Sequence, residues 1–216
     1  MKEFIPDGYS SDERAYRREM CKLIHRAYKQ KLFTSAQGTF SQRLDNNSFI
    51  ITPYAKDRNY LEEGDIVRIE NGWREAGKLP SRSVELHKYI YELHPEINSV
   101  IIAHPPNIMA FAVTDVEFDS KTIPESYIML RDVKKLPFGS SFMQPKMTAE
   151  SISKQTPVLI IENDCVIVTG NSLLNAFDRL EVLEYTAKSI ISSKAIGEIV
   201  KINDEEVEDI NKAFKL

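Results

Sequence analysis

The chain has 216 residues, enough for one ordinary domain with a buried core, and its 42% hydrophobic and 28% charged composition is that of a globular protein. A net charge of −4 argues against a broad basic surface for nucleic acid or anionic membrane. No apolar run approaches the roughly 18 residues that a membrane helix needs. Met1 to Asp7 lacks the apolar stretch of a secretory signal, and the two cysteines are Cys21 and Cys165; a cytoplasmic protein with reduced thiols is the expectation.

In chain order, a first helix is expected from Ser10-Ser11-Asp12-Glu13. Ser and Asp can cap free amides, and Glu13 suits the positive end of the dipole. Met20, Leu23, Ile24, Ala27 and Tyr28 recur at spacings of three and four and form one apolar face. Lys22, Arg26, Lys29 and Lys31 read as its solvated side, and His25 as a surface residue. Gly38-Thr39-Phe40-Ser41-Gln42-Arg43 reads as a turn entering a short strand. Asp45-Asn46-Asn47-Ser48 is a turn, and Phe49-Ile50-Ile51-Thr52 a buried strand that stops at Pro53. Ile66 to Ile69 is a further strand, and Asn71-Gly72 signals a hairpin with Trp73 opening the return.

A second helix follows Pro80-Ser81-Arg82-Ser83, with Val84, His87, Ile90, Tyr91 and His94 near one face; His87 and His94 read as core or capping residues. Ser99 to Ala103 is a buried strand ending at His104-Pro105-Pro106. Pro157 to Ile161 and Val166 to Val168 form a strand pair around Glu162-Asn163-Asp164-Cys165. Gly170-Asn171-Ser172 caps a long helix whose buried face is read as Leu174, Phe177, Leu180, Leu183, Ala187 and Ile190. Asp204-Glu205-Glu206-Val207-Glu208-Asp209 reads as an amphipathic end helix. With no repeat or linker, the pattern predicts one α/β domain over residues 1–216, a central, mainly antiparallel sheet flanked by helices.

Several segments occur in the order of one family. Gly38-Thr39-Phe40-Ser41 is similar to a Gly-Asn-x-Ser turn, and Ile51-Thr52-Pro53-Tyr54-Ala55 to a Thr-Pro-Ser/Thr-Gly loop followed by Leu61 to Val67. Lys78-Leu79-Pro80-Ser81 and His87 resemble a Pro-Ser-x-Glu helix opening. His94 to Pro106 resembles a strand ending in His-x-His. Leu159 to Gly170, with Ala176 to Glu181, resembles an Asn-His-Gly strand pair and its helix. From about residue 11 to 191 the chain thus resembles the class II aldolase/adducin family, whose enzymes include fuculose phosphate aldolase; residues 192–216 read as a helical extension. The resemblance implies a three-layer fold. It also implies zinc on three His side chains, a Glu that moves the proton, and a cradle of backbone amides and hydroxyls for the substrate phosphate.

Laid on this chain, the motif is incomplete. The first His of His-x-His falls on Ile102, which has no ligand atom; the second falls on His104; the His of Asn-His-Gly falls on Asp164, a side chain able to ligate zinc. Cys165, next to it, is a further speculative ligand. The catalytic Glu falls on Ser83. Glu85, about 200° further round a helix, is expected to face away. In the cradle, Gly38 is kept, Asn becomes Thr39, Thr-Gly becomes Tyr54-Ala55, Ser81 is kept, and the next Ser becomes Arg82, which either adds an anion contact or lies in solvent. Ala55 would hold a positive φ only at a cost. Tyr127 is a weak candidate for the family's tyrosine acid, which acts across a subunit boundary.

Metal, base and phosphate positions depart together. The expectation is a family homologue that has lost zinc-dependent aldolase activity and serves as a non-catalytic binding or scaffold protein without a resident cofactor. The alternative is a divergent aldehyde-lyase or epimerase on a sugar phosphate, using zinc or another divalent cation at a rebuilt site. The resemblance implies a homotetramer, and a small anionic ligand is the partner expected, not nucleic acid or membrane.

Overall fold

The computed structural model describes residues 1–215. Ser10 caps α1 (Ser11–Lys29), its side chain accepting from the Glu13 amide 3.0 Å away. Glu13 does more than oppose the dipole. It is buried and paired with Arg17 at 2.7 Å and Arg68 at 3.2 Å, while Arg17 reaches Glu75 at 3.2 Å. Lys22, Arg26, Lys29 and Lys31 lie in solvent. His25 departs from its expected place: it is half-buried, with Nε2 enclosed and unpartnered, because it borders the apolar stripe that faces the core.

The strands are β1 (Glu3–Phe4), β2 (Thr39–Arg43), β3 (Ser48–Ile51), β4 (Val67–Glu70), β5 (Trp73–Glu75), β6 (Ser99–Ala103), β7 (Val133–Leu136), β8 (Val158–Ile161) and β9 (Cys165–Gly170). Among the described residues they form one sheet in the order β1-β5-β4-β3-β2-β6-β9-β8-β7. The β4–β5 hairpin turns at Asn71 (φ 51°) and Gly72 (φ 77°), the left-handed pair a tight hairpin requires. The interior ladders are antiparallel, but both edge ladders, β1 with β5 and β7 with β8, are parallel. The sheet is therefore mixed. A parallel pair needs a crossover, and between β7 and β8 this is supplied by α5 (Ser140–Met143) and α6 (Pro145–Glu150).

Helices cover both faces, giving three layers. On one face Phe40, Ile50, Ile101, Ala103, Val166 and Val168 pack with α1 and the long α7 (Leu173–Ser193). On the other, Phe49, Ile51, Val67, Val100, Ile102, Leu159 and Ile167 pack with Leu86 and Ile90 of α2 (Val84–Leu93) and Ala149 of α6. Strand β6 is buried along both sides, which is why it reads as an unbroken apolar run. The buried start of α7 is Leu173, 1% exposed, while Leu174 is 55% exposed; steps of three and four back from Leu180 and Phe177 reach Leu173.

Two short helices with weak periodicity, α3 (Pro106–Ala112) and α4 (Pro124–Leu130), two 3-10 turns at Arg58–Tyr60 and Glu63–Asp65, and the amphipathic end helix α8 (Asp204–Phe214) complete the described chain. Asn203 and Glu206 form a capping box on α8. The helical extension thus comprises the end of α7, a connecting segment and α8; Leu216 lies outside the described residues. No helix among the described residues is long and apolar enough to cross a membrane.

Candidate functional site

Three loops meet at one end of β2, β3 and β6. Gly38 turns the chain into β2 at φ +78°, and a Cβ there would come within 2.6 Å of the Phe33 ring, so both the turn and the space require glycine. The Ser81 amide donates to Thr52 O at 3.0 Å and the Tyr54 amide to Leu79 O at 2.8 Å, lacing the Thr-Pro loop to the Pro-Ser loop. Beneath them lies Arg58, 2% exposed. Its guanidinium donates to Gly38 O at 3.0 and 3.1 Å, Pro53 O at 3.1 Å and Lys56 O at 2.7 Å. Burial lowers its pKa to about 10, and Asp57 acts in the opposite sense. The guanidinium remains charged at neutral pH.

In the same cavity lining, three hydroxyls form a triangle. Thr39 Oγ1 and Ser81 Oγ share a hydrogen bond at 2.8 Å, Ser81 and Ser83 at 3.1 Å, and Ser83 donates to Thr39 at 3.3 Å. They open onto a cavity of about 720 Å³. Of the candidates named from sequence, Gly38, Thr39, Tyr54, Ala55, Ser81, Arg82, Ser83, Ile102, His104 and Asp164 all line it, with Cys165. Tyr127 does not: its side chain is buried beneath α8, where its hydroxyl meets Asn211 at 3.5 Å.

The departures from the family pattern acquire shapes. Ala55 holds φ +54°, the left-handed conformation, which costs a non-glycine residue about 1–2 kcal/mol. Tyr54 is half-exposed, with the Arg82 guanidinium 5.5 Å from its ring centroid. Glu85 lines the cavity rim, contrary to the helical step that places it opposite Ser83. The reason is that Ser83 is the N-cap (φ −81°, ψ 6°), outside the regular helix, so a 100° step does not relate the two. Arg58 and Ser141, also in the lining, carry no motif signal; Arg58 opens a single 3-10 turn (Arg58–Tyr60) next to Lys56 and Asp57, and Ser141 comes from α5, about sixty positions from Ser81.

His104 follows the end of β6. Its Nδ1 is enclosed without a partner; burial lowers its pKa, and the Asp164 charge acts in the opposite sense. Asp164 accepts a hydrogen bond from the Ser141 hydroxyl. Burial, then the neighbouring Asp164 charge, pushes the Cys165 thiol well above its ordinary range, so it is a protonated thiol. Among the described residues no three His, Cys, Asp or Glu side chains are grouped to hold one metal ion. The three-ligand zinc site implied by the resemblance therefore does not fit the donors present. The arrangement can bind an oxyanion through hydroxyls and arginine. At the base position, Ser83 is not a proton acceptor near neutral pH.

His87 and His94 are structural. The His87 Nδ1 and Ser41 Oγ share a hydrogen bond at 2.6 Å in the core, and His94 Nε2 meets Ala149 O at 2.9 Å.

Known proteins share this architecture. L-fuculose phosphate aldolase of Methanococcus vannielii is 29% identical over 175 residues, covering 79% of this chain and 93% of that protein. The 3-oxo-tetronate 4-phosphate decarboxylase of Haemophilus influenzae is 24% identical over 208 residues, covering 92% and 97%. The crystal structure of YgbL from Klebsiella pneumoniae superposes with a TM-score of 0.81 at 22% identity, covering 94% of this chain and all of that one. Residues 18–191 match the family described as Class II Aldolase and Adducin N-terminal domain, and the chain belongs to that family.

Proposed function

We propose that this family member binds a small phosphorylated ligand and has given up zinc-dependent carbon–carbon cleavage. One observation carries the reading: the hydroxyl triangle of Thr39, Ser81 and Ser83 opens into a cavity that Arg58 and Arg82 also line, while Ile102 occupies the place of a metal ligand in the same cavity. Groups able to hold an anion line the cavity, Ser81 kept from the family pattern and Thr39, Ser83 and Arg82 replacing other residues, where groups that polarise a carbonyl and move a proton do not. Arg82 on the wall adds a second cation able to grip a phosphate in a bidentate manner.

The test has two arms. Thermal unfolding with inorganic phosphate should show stabilisation that Arg82→Ala reduces. Elemental analysis should find no stoichiometric zinc, and fuculose 1-phosphate should not be cleaved above background. Turnover that is abolished by His104→Ala would overturn the reading. That result would favour the second one, a rebuilt lyase on a sugar phosphate, for which the Asp164 charge beside His104 is the supporting observation.

For assembly we propose a homotetramer. Phe138, Phe142, Met143 and Met147 are each at least 58% exposed, an apolar patch next to the cavity wall of the kind that marks an interface. Light scattering that finds only monomer at micromolar protein would count against it.

A further inference from the structure

We propose that the ligand is a zwitterion, a phosphomonoester that also carries an alkylammonium group held by Asp164; its phosphate half rests on the anion-binding reading above. The cavity is lined by charges of both signs that do not meet each other. Arg82, Glu85 and Asp164 all border it, and among the described residues none of the three has an ion-pair partner within the chain. The Arg82 guanidinium lies against the Tyr54 ring, 5.5 Å from its centroid. The Arg58 charge is taken up by the carbonyls of Gly38, Pro53 and Lys56. Opposite charges in one cavity gain by pairing directly. Held apart around an open space, they complement a ligand that carries both signs.

Asp164 is the group that most needs a cation. It is half-buried in the β8–β9 turn, and the hydroxyl that donates to it, from Ser141, is neutral. Its cavity neighbours bring no positive charge: the Cys165 thiol stays protonated, and burial lowers the His104 pKa. The family pattern answers a carboxylate here with a divalent cation, which the donors of this chain do not hold. Thr39 pairs with Ile102, and Ile102 with Ile167, so the backbones of β2 and β9 run about 10 Å apart. Over that range, in a partly desolvated cavity, a phosphate on the hydroxyl triangle and the Asp164 carboxylate repel each other. A ligand hydroxyl can donate to Asp164 but leaves this repulsion in place. An ammonium both donates and supplies the missing charge, and it stays protonated at neutral pH. The gap, less a hydrogen bond at each end, leaves room for a linker of about two to four carbons.

Calorimetric titration with inorganic phosphate, n-propyl phosphate, 3-hydroxypropyl phosphate and 3-aminopropyl phosphate tests this on the unaltered protein. The three esters have the same length and differ only at the far end. The amino ester should bind about tenfold tighter than either of the others. Asp164→Asn should bring the ratio of amino to hydroxyl ester close to one. If the hydroxyl ester binds as tightly as the amino ester, the ammonium is overturned while the anion site stands. A preference for the amino ester that survives Asp164→Asn would overturn the assignment to Asp164. If inorganic phosphate and every ester fail to bind, the anion-binding reading falls as well.

Discussion

Thr39 and Ile102 are direct partners across the antiparallel β2–β6 ladder. This register places the cradle hydroxyl and the side chain standing in for a metal ligand on one face of the sheet, both opening into the cavity. Residue alternation makes the placement strict: Ile101 and Ala103 point to the α7 side, and Val100 and Ile102 to the α2 side. A donor at position 102 would therefore enter the cavity directly.

Restoring the missing groups together, as Ile102→His, Ser83→Glu and Asp164→His, should create a zinc site. About one zinc per chain is expected in the triple variant, with His104 as the third ligand. Elemental analysis after dialysis is the measurement. A variant that folds but holds no zinc would mean that the β6 end and the β8–β9 turn no longer converge at ligand distance. Activity should stay at trace level at most, because Tyr54 and Arg82 alter the phosphate cradle.

Arg58→Met should destabilise the fold by about 3 kcal/mol, since it strands the carbonyls of Gly38, Pro53 and Lys56. It should also shrink the thermal protection given by phosphate, because the cation under the cradle is gone. Arg58→Lys should recover part of the charge effect but not the forked hydrogen bonding. Urea unfolding with and without phosphate separates the two contributions; unchanged stability in the Met variant would refute the structural role.

Ala55→Gly should stabilise the protein by about 0.5–1 kcal/mol. Relief of the strain at φ +54° exceeds the added freedom of glycine in the unfolded chain. Ala55 is exposed, so no packing contact is lost. A shift of the urea midpoint upward at constant slope is the expected readout, and a downward shift would show that the strain is absent.

Stability should fall in mild acid because of His87. It is fully buried, and burial holds its pKa at about 3 against an ordinary 6.5. The folded state keeps this imidazole neutral, whereas the unfolded chain binds a proton below pH 6.5. The stability is therefore complete above pH 6.5 and is lost progressively as the pH falls towards 3. Between neutrality and pH 5 the loss from this group is about 2 kcal/mol. Urea unfolding at both pH values measures it, and His87→Gln should flatten the dependence by that amount.

The sequence by itself determined the elements long enough to carry a period or bounded by strong punctuation. The Ser10 cap and the three-and-four spacing through Ala27 define α1, Asn71-Gly72 defines the hairpin, and Ser99 to Ala103 delimits β6 residue for residue. The ordered motifs also brought ten of the cavity's residues into one list, from Gly38 to Asp164, because motif order reports the topology that places loops together. Tertiary structure decided what depends on neighbours distant in the chain. The parallel edge strands β1 and β7 are too short for a two-residue alternation to stand out. Glu85 reached the cavity rim because a cap residue breaks helical phase, and Ser141 reached Asp164 because α5 folds back over the β8–β9 turn. Arg58 shows the limit most sharply. An arginine in a short polar stretch reads as solvated, and only the Gly38 carbonyl from one turn and the Pro53 and Lys56 carbonyls from the next make it cheaper for that charge to be buried beside the cavity than to lie in water.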